Sequence, residues 1–331
     1  MRVFLATGRT VTGSAFLALG LLLTAPQARA ETLRLGYESW VAPGPFFIAR
    51  EMGWFEEEGV SVELVNIEDV RIRASALATG EVDAITANID EAVLHLAPGG
   101  ELRFVFAIAD SSGGDGLIAN HEIEDIASLR GKTVAVQPGT SRQFYLNALL
   151  REAGLNETDI ATVAKAPGEA GLAFERGEVD AAVTWHPWLA RTALMAHGHV
   201  LTDTSKQPGL LAEMVVARGE MLEKREDEFQ ALYRAWLRAI AWAKKNPNDS
   251  AKLIAAGIGR WLRDDDVVKE MREGIVYYDG PMNESFFGTA AKPGPLAGTI
   301  TGAIDTWSGF GKLQTSARPI ELISRAVVAG K

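Results

Sequence analysis

Several polar and aromatic residues of this 331-residue chain have the chemistry to hold a small charged molecule, and they stand directly after β-prone runs. Asn88 and Asp90 follow Ala84-Ile-Thr86, and Asp110 follows Leu102 to Ala109, supplying one amide and two carboxylates. Gly139-Thr140-Ser141 follows Thr133 to Val136 and opens a helix, offering backbone N–H groups and two hydroxyls to an anion. Trp185, His186 and Trp188 follow Ala181 to Thr184, and Trp40 follows the alternating Leu33 to Tyr37. Aromatic faces so placed clamp an alkyl chain or a cation, at roughly 0.5 to 2 kcal/mol per contact. Gly44-Pro45 opens another helix, with Pro45 in the favoured first position. A carboxylate enclosed in a cleft requires a ligand cation or an internal Arg or Lys, because burying it unpaired costs several kcal/mol.

Each of these groups has a plainer use. The two helix starts can be ordinary capping, and Trp188 can pack beneath its own loop. Asp110 and Asp115 can bond N–H groups of the turn Ser111 to Gly114. His186 is either a pH-sensitive contact or a structural histidine. His197-Gly-His199 lacks a clustered third ligand and reads as a surface loop. The runs Glu56 to Glu58 and Asp264 to Asp266 read as a solvated helix end and helix start. A Ser-His-Asp elbow, a phosphate-cradling Gly-Lys loop and a His-Glu-x-x-His pair are all missing, so nothing in the sequence points to catalysis.

The elements that must position these residues are announced by a repeat. Gly80-Glu-Val-Asp-Ala84 recurs as Gly177-Glu-Val-Asp-Ala181, each copy preceded by an Ala- and Leu-rich helical stretch and followed by a short β-prone run. Both copies read as helix, turn, strand. In open α/β sheets ligands bind beyond the carboxyl ends of the strands, so two such units imply two α/β lobes sharing one ligand. A first βαβ unit runs from Leu33 to Val65, and the chain crosses to a second lobe near Asp115. Return is expected between Glu213 and Arg218, after which the apolar spacing of Phe229, Leu232, Trp236, Ile240 and Ala243 marks a long helix. The expected organisation is a leader over 1–30, a first lobe over 31–115, a second over 116–213, and a return to the first over 214–331, mostly helical.

Arg2 and Arg9, the apolar run Ala15 to Ala25 and the small-x-small Ala28-Arg29-Ala30 have the form of a cleavable secretory signal. The apolar run is too short for a spanning helix of about 20 residues. The sequence contains no Cys, which removes disulfides, thiolate metal sites and a lipidated N-terminal cysteine. A free periplasmic monomer is expected. With 33 basic against 43 acidic residues and a formal charge of −10, nucleic acid is a poor partner.

Gly36-Tyr37 with Pro45-Phe-Phe-Ile-Ala49, Gly53-Trp-Phe-Glu-Glu-Glu-Gly59, the two Gly-Glu-Val-Asp-Ala copies, Leu129-Arg-Gly-Lys-Thr-Val134 and Thr184-Trp-His-Pro-Trp188 together resemble the substrate-binding proteins of ABC importers. The similar branch includes nitrate, taurine and aliphatic-sulfonate binders and binders of thiamine-pyrimidine precursors (NMT1/THI5-like). The resemblance implies a type II periplasmic-binding-protein fold, each lobe a mostly parallel sheet flanked by helices, with the ligand cleft between lobes. It implies a non-enzymatic receptor that delivers a small solute to a membrane permease powered by a separate ATPase, without a cofactor. Its pocket would be built from the positions matching Trp40 and Pro45, Asn88 to Asp90, Gly139 to Ser141, and Trp185 to Trp188. Relatives often carry Glu where His186 stands, and sulfonate binders are commonly rich in Ser and Thr where this chain has Asn88-Ile-Asp-Glu91. That acidic segment argues for a zwitterion of the taurine type, its anion held by Thr140 and Ser141 and its cation by Asp90 with Trp40 or Trp185. A pyrimidine precursor or small amine is the alternative ligand. A pyrimidine-synthase-like enzyme would need the Cys motif absent here, and a sensor docking on a membrane receptor is the remaining alternative.

Overall fold

The computed structural model describes Met1 and residues 31–96, 102–186, 188–192, 197–259 and 261–329. The expected leader and Pro187 lie outside the described residues, and everything below concerns the unit Thr32–Lys331. In chain order come β1 (Leu33–Tyr37), α1 (Gly44–Glu51), α2 (Trp54–Glu57), β2 (Val62–Asn66), α3 (Val70–Thr79), β3 (Ala84–Asn88), α4 (Ile89–Leu96) and β4 (Leu102–Ser111). A second set follows: β5 (Asp115–Asn120), β6 (Thr133–Val136), α5 (Ser141–Glu152), β7 (Ala161–Ala164), α6 (Pro167–Glu175), β8 (Ala181–Trp185), α7 (Trp188–Thr192) and β9 (Gly198–Asp203). The chain then returns through β10 (Ala212–Arg218), α8 (Gly219–Lys224), α9 (Glu226–Lys245), α10 (Pro247–Gly257), α11 (Asp264–Lys269), β11 (Ile275–Tyr277), α12 (Gly280–Phe287) and α13 (Pro295–Gly309).

The strands form two sheets, ordered β11-β4-β10-β3-β1-β2 and β7-β6-β8-β5-β9. In each, three neighbouring strands are parallel (β2-β1-β3; β7-β6-β8), and the next is antiparallel. That antiparallel strand is in both cases the one that has just crossed from the other sheet, β10 in the first and β5 in the second. The sheets are therefore mixed, and they share one plan: β3 and β8 occupy equivalent places, each introduced by a copy of the repeat.

The repeat has a structural reason. Its glycine ends the preceding helix with a left-handed backbone, φ +81° at Gly80 and +69° at Gly177, a conformation that costs a side chain-bearing residue about 1 kcal/mol or more. Its valine is buried. Its aspartate reaches sideways to the first parallel strand of its own sheet: Arg34 N donates to Asp83 Oδ2 at 2.8 Å, and Thr133 N donates to Asp180 Oδ2 at 2.8 Å. The backbones reciprocate, Asp83 N donating to Arg34 O and Asp180 N to Thr133 O. Each aspartate thus fixes the register at which a central strand starts.

The apolar face of α9, as its periodicity predicts, is buried at Phe229, Leu232, Trp236, Ile240 and Ala243, and it packs with α10 on α1. Phe46 of α1 lies 4.8 Å from Trp236, ring to ring, and Trp236 Nε1 donates to Tyr278 O. The C-terminal part also contributes β11 to the edge of the first sheet. α13 braces α4, its Trp307 Nε1 donating to Asp90 O at 3.0 Å. Between β4 and β5 the turn is pinned from outside itself: Ser112 N and Gly114 N donate to Gly274 O, and Gly113 N donates to Thr204 Oγ1.

Candidate functional site

The carboxyl ends of β1, β3, β6 and β8 converge on a cavity of about 470 Å³, lined by Glu38, Glu91, Thr140, Arg142 and Trp185 among others. A smaller one of about 20 Å³ shares Glu38 and Arg142 with it and adds Trp40, Asn88, Asp110, Asp115 and Glu213. Gly139, Thr140, Trp185, Trp40, Asn88 and Asp110 of the sequence-based set therefore reach this cleft. Ser141 is buried beside it, its Oγ accepting from Asn88 Nδ2 at 3.2 Å.

Besides Ser141, four of the expected residues line neither cavity. Pro45 is buried in the first turn of α1. Asp90 is wholly enclosed, because α4 turns its side chain away from the wall while presenting that of Glu91. Trp188 packs on α6 so closely that a methyl added at Gly171 would meet its Cβ at 2.9 Å. His186 faces a separate cavity with Lys269 and Glu270. Its imidazole is held below the usual histidine range by burial and by the Lys269 charge. His197 immediately precedes β9 and His199 lies in it, and they stack on Phe174 and His121 respectively. No group of three metal-ligating residues occurs among the described residues.

The helix start expected to receive an anion already makes bonds within the protein. Ser141 N donates to Glu91 Oε1 at 3.1 Å, Gly139 N donates to Gln143 Oε1 at 2.8 Å, and Thr140 Oγ1 donates to Gln137 O at 2.9 Å. The anion at the α5 N-terminus is the protein's own carboxylate, carried across the cleft by α4. Asp115 likewise differs from its expected role. The turn N–H groups go to Gly274 and Thr204, while Asp115 Oδ1 accepts from Arg142 Nε at 3.0 Å and Oδ2 from Ser111 Oγ. Asp110 accepts from an amide outside that turn, Gly209 N at 2.6 Å.

The aromatic clamp is present and closed on itself. Trp40 and Trp185 stack across the cleft with centroids 4.8 Å apart and planes 7° from parallel. The Arg142 guanidinium carbon lies 4.6 Å from the Trp185 ring centre, and Trp261 stacks further out at 6.1 Å. The cation expected on the indole face is thus an internal arginine.

The wall is strongly acidic. Glu38 pairs with the buried Arg73 at 3.3 Å, whose remaining donors go to Thr86 O and Ile67 O. Glu91 Oε2, Glu213 Oε1 and Asp110 Oδ1 are buried with no hydrogen-bond partner among the described residues, as is the donor Trp185 Nε1. Burial, reinforced by repulsion from Glu38, raises the Glu213 carboxyl to about 8. Burial raises Asp110 to about 7 against the opposing Gly209 N–H. Glu91 is pushed up by burial and Glu38, with Arg73, Arg142 and the Ser141 N–H pulling back. Glu38, Arg73, Glu91, Arg142 and Glu213 received no site assignment from the sequence. A charged residue at the head of the apolar run Met214 to Ala217, and an Arg inside the otherwise polar-and-apolar start of a buried helix, are the signals that could have marked Glu213 and Arg142.

The NMT1/THI5 like family profile matches residues 42–250. The Taurine-binding periplasmic protein of Escherichia coli is 27% identical, covering 73% of this chain and 78% of that one. Among solved structures, the periplasmic aliphatic sulphonate binding protein SsuA from Escherichia coli superposes with a TM-score of 0.74 at 21% identity, covering 91% of this chain and 99% of that one. The alkanesulfonate-binding protein SsuA from Xanthomonas axonopodis pv. citri, bound to MOPS, gives 0.70 at 18% identity, covering 90% and 99%. With two mixed α/β lobes, a cleft at their strand ends and a family match over most of its length, this chain belongs to the NMT1/THI5-like family of periplasmic substrate-binding proteins related to the solute receptors of ABC importers.

Proposed function

We propose that the cleft captures a small organic solute carrying an ammonium- or amidinium-type cation at one end and an acidic or hydrogen-bond-accepting group at the other, with taurine-like zwitterions the simplest members. The observation that carries this is the wall of buried carboxylates, Glu38, Glu91, Asp110 and Glu213, three of which hold an oxygen without a partner. Such oxygens are costly to enclose, and a ligand cation offsets that cost. The same cavity offers the unpartnered Trp185 Nε1–H as a donor for an acidic group. The taurine- and sulfonate-binding names of the relatives support an acidic end. Trp40, Asn88, Asp110, Gly139, Thr140, Ser141 and Trp185 are retained as the contact set, with Glu38, Glu91, Arg142 and Glu213 added.

The protein works in the periplasm as the non-catalytic receptor of an ABC importer, handing its solute to a permease driven by an ATPase. In the proposed mechanism, residues 31–115 with 214–331 form one lobe and 116–213 the other. A solute touching both stabilises the closed arrangement, and the permease reads closure. A thermal-shift screen of aminosulfonates, amino acids, guanidino compounds and simple anions tests the ligand class, since binding stabilises by RT ln(1 + [L]/Kd). Shifts with zwitterions or cations are expected; a response confined to simple anions would refute the assignment.

A further inference from the structure

We propose that Glu91 is a tethered occupant of the anion seat at the start of α5, and that it sets specificity by barring simple oxyanions from the cleft. The inference rests on the solute-receptor reading and deepens it by naming what is excluded. A helix N-terminus with free N–H groups attracts any small anion. Here the Ser141 N–H points at Glu91 Oε1 at 3.1 Å, so an incoming sulfonate or nitrate must displace a carboxylate that is already hydrogen-bonded and covalently held at the site.

A second observation shows that this carboxylate also faces the ligand. Glu91 is 2% exposed, lines the main cavity, and its other oxygen, Oε2, has no partner among the described residues. One oxygen therefore fills the anion seat while its neighbour waits for a donor. The surroundings set the sign of what can supply it. Glu38 lines the cavity beside Glu91, and the guanidiniums in and behind this wall already have partners, Arg73 in Glu38 and backbone carbonyls, Arg142 in Asp115 and the Trp185 face, and Arg71 in Asp69. A cationic group satisfies Oε2, whereas an oxyanion meets like charge and an occupied seat. α13 holds the backbone of α4 in this register through Trp307 and the Asp90 carbonyl.

The test compares methanesulfonate and nitrate binding to the purified wild-type protein, Glu91→Ala and Glu91→Gln by titration calorimetry. Glu91→Ala vacates the seat and removes the charge; Glu91→Gln keeps the shape and removes the charge alone. Methanesulfonate affinity is expected to rise at least about tenfold in Glu91→Ala and by less in Glu91→Gln. Guanidinium and methylammonium ions are expected to lose about tenfold in both. Equal methanesulfonate binding in wild type and both variants overturns the proposal, as does tight methanesulfonate binding by wild type. If Glu91→Ala does not melt cooperatively, the comparison of wild type with Glu91→Gln decides alone, any gain supporting the proposal and no gain overturning it. A wild-type protein blind to every zwitterion and cation would instead sink the ligand class proposed above, and the methanesulfonate comparison would still decide the role of Glu91.

Discussion

At the scale of single residues, Glu213 makes the cleft's chemistry measurable without a ligand. Its carboxyl titrates near 8 in the fold against an ordinary 4.5, so between those values the unfolded chain has released a proton that the folded chain keeps. Each step up in pH across that window favours unfolding, by at most about 1.4 kcal/mol per unit for one group. Asp110, near 7 against 3.8, acts in the same direction over its own window. The ligand-free protein should therefore melt at a higher temperature at pH 5.5 than at pH 8. Glu213→Gln should raise the pH 8 melting temperature and shrink the difference; an unchanged pH slope in that variant would show that Glu213 is not the group responsible. Cation binding has the opposite sign, because it recruits the ionised form. Affinity for guanidinium compounds should rise from pH 6 to pH 8 and lose most of that rise in Glu213→Gln. Asp90, whose enclosed carboxyl is held well above the usual range by burial and by Glu91, should behave as a structural group. Asp90→Asn is expected to stabilise the protein at pH 8 and leave solute affinity unaltered, and a loss of affinity would return Asp90 to the cleft.

At the scale of elements, the repeat explains why so much of the architecture was legible and why the site was less so. Gly-Glu-Val-Asp-Ala encodes a helix stop, a buried anchor and a strand start in five residues, all short-range effects, and it marks β3 and β8 at equivalent places in two sheets. Its aspartates differ in load. Asp180 bonds Thr133 twice, while Asp83 bonds Arg34 and is also within 3.3 Å of the largely buried Arg225. Asp180→Ala should cost about 1 to 3 kcal/mol, because two Thr133 donors lose their acceptor, and Asp83→Ala more, because that carboxylate serves the Arg34 N–H and two guanidiniums. Urea melts with equal midpoints for the two variants would contradict this. The cleft depends on subtler geometry. Adjacent residues on a helix point roughly 100° apart, so one step along α4 separates the enclosed Asp90 from the cleft-lining Glu91, and polarity alone does not choose between them. Glu38, Glu91, Arg142 and Glu213 come from the loop after β1, from α4, from α5 and from β10, and their convergence is a property of the tertiary fold that no local spacing records.

At the scale of the whole molecule, the structure is a closed arrangement held by its own side chains. Trp40 stacks on Trp185, Asn88 and Glu91 bond Ser141, and His95 Nε2 donates to Gly139 O. Farther from the cleft, Arg151 donates to Thr306 Oγ1 at 2.9 Å and Lys312 pairs with Glu157 at 3.2 Å. The indole stack differs from the carboxylates in that it acts on closure and carries no charge preference. An aromatic pair of this kind contributes about 0.5 to 1.5 kcal/mol beyond its buried area. Removing it should shift the free protein toward opening and lower affinity for every solute by the same factor, up to about tenfold, since apparent affinity scales with the closed, competent fraction. Trp40→Ala should accordingly enlarge the radius of gyration of the ligand-free protein in small-angle scattering, and saturating ligand should restore it. Glu213→Gln should leave the ligand-free radius unchanged while weakening cations alone. If Trp40→Ala weakened cations selectively and left the radius untouched, the indole would act as a ligand contact alone, and closure would have to be attributed to the Ser141 bonds and the α5 to α13 contacts instead.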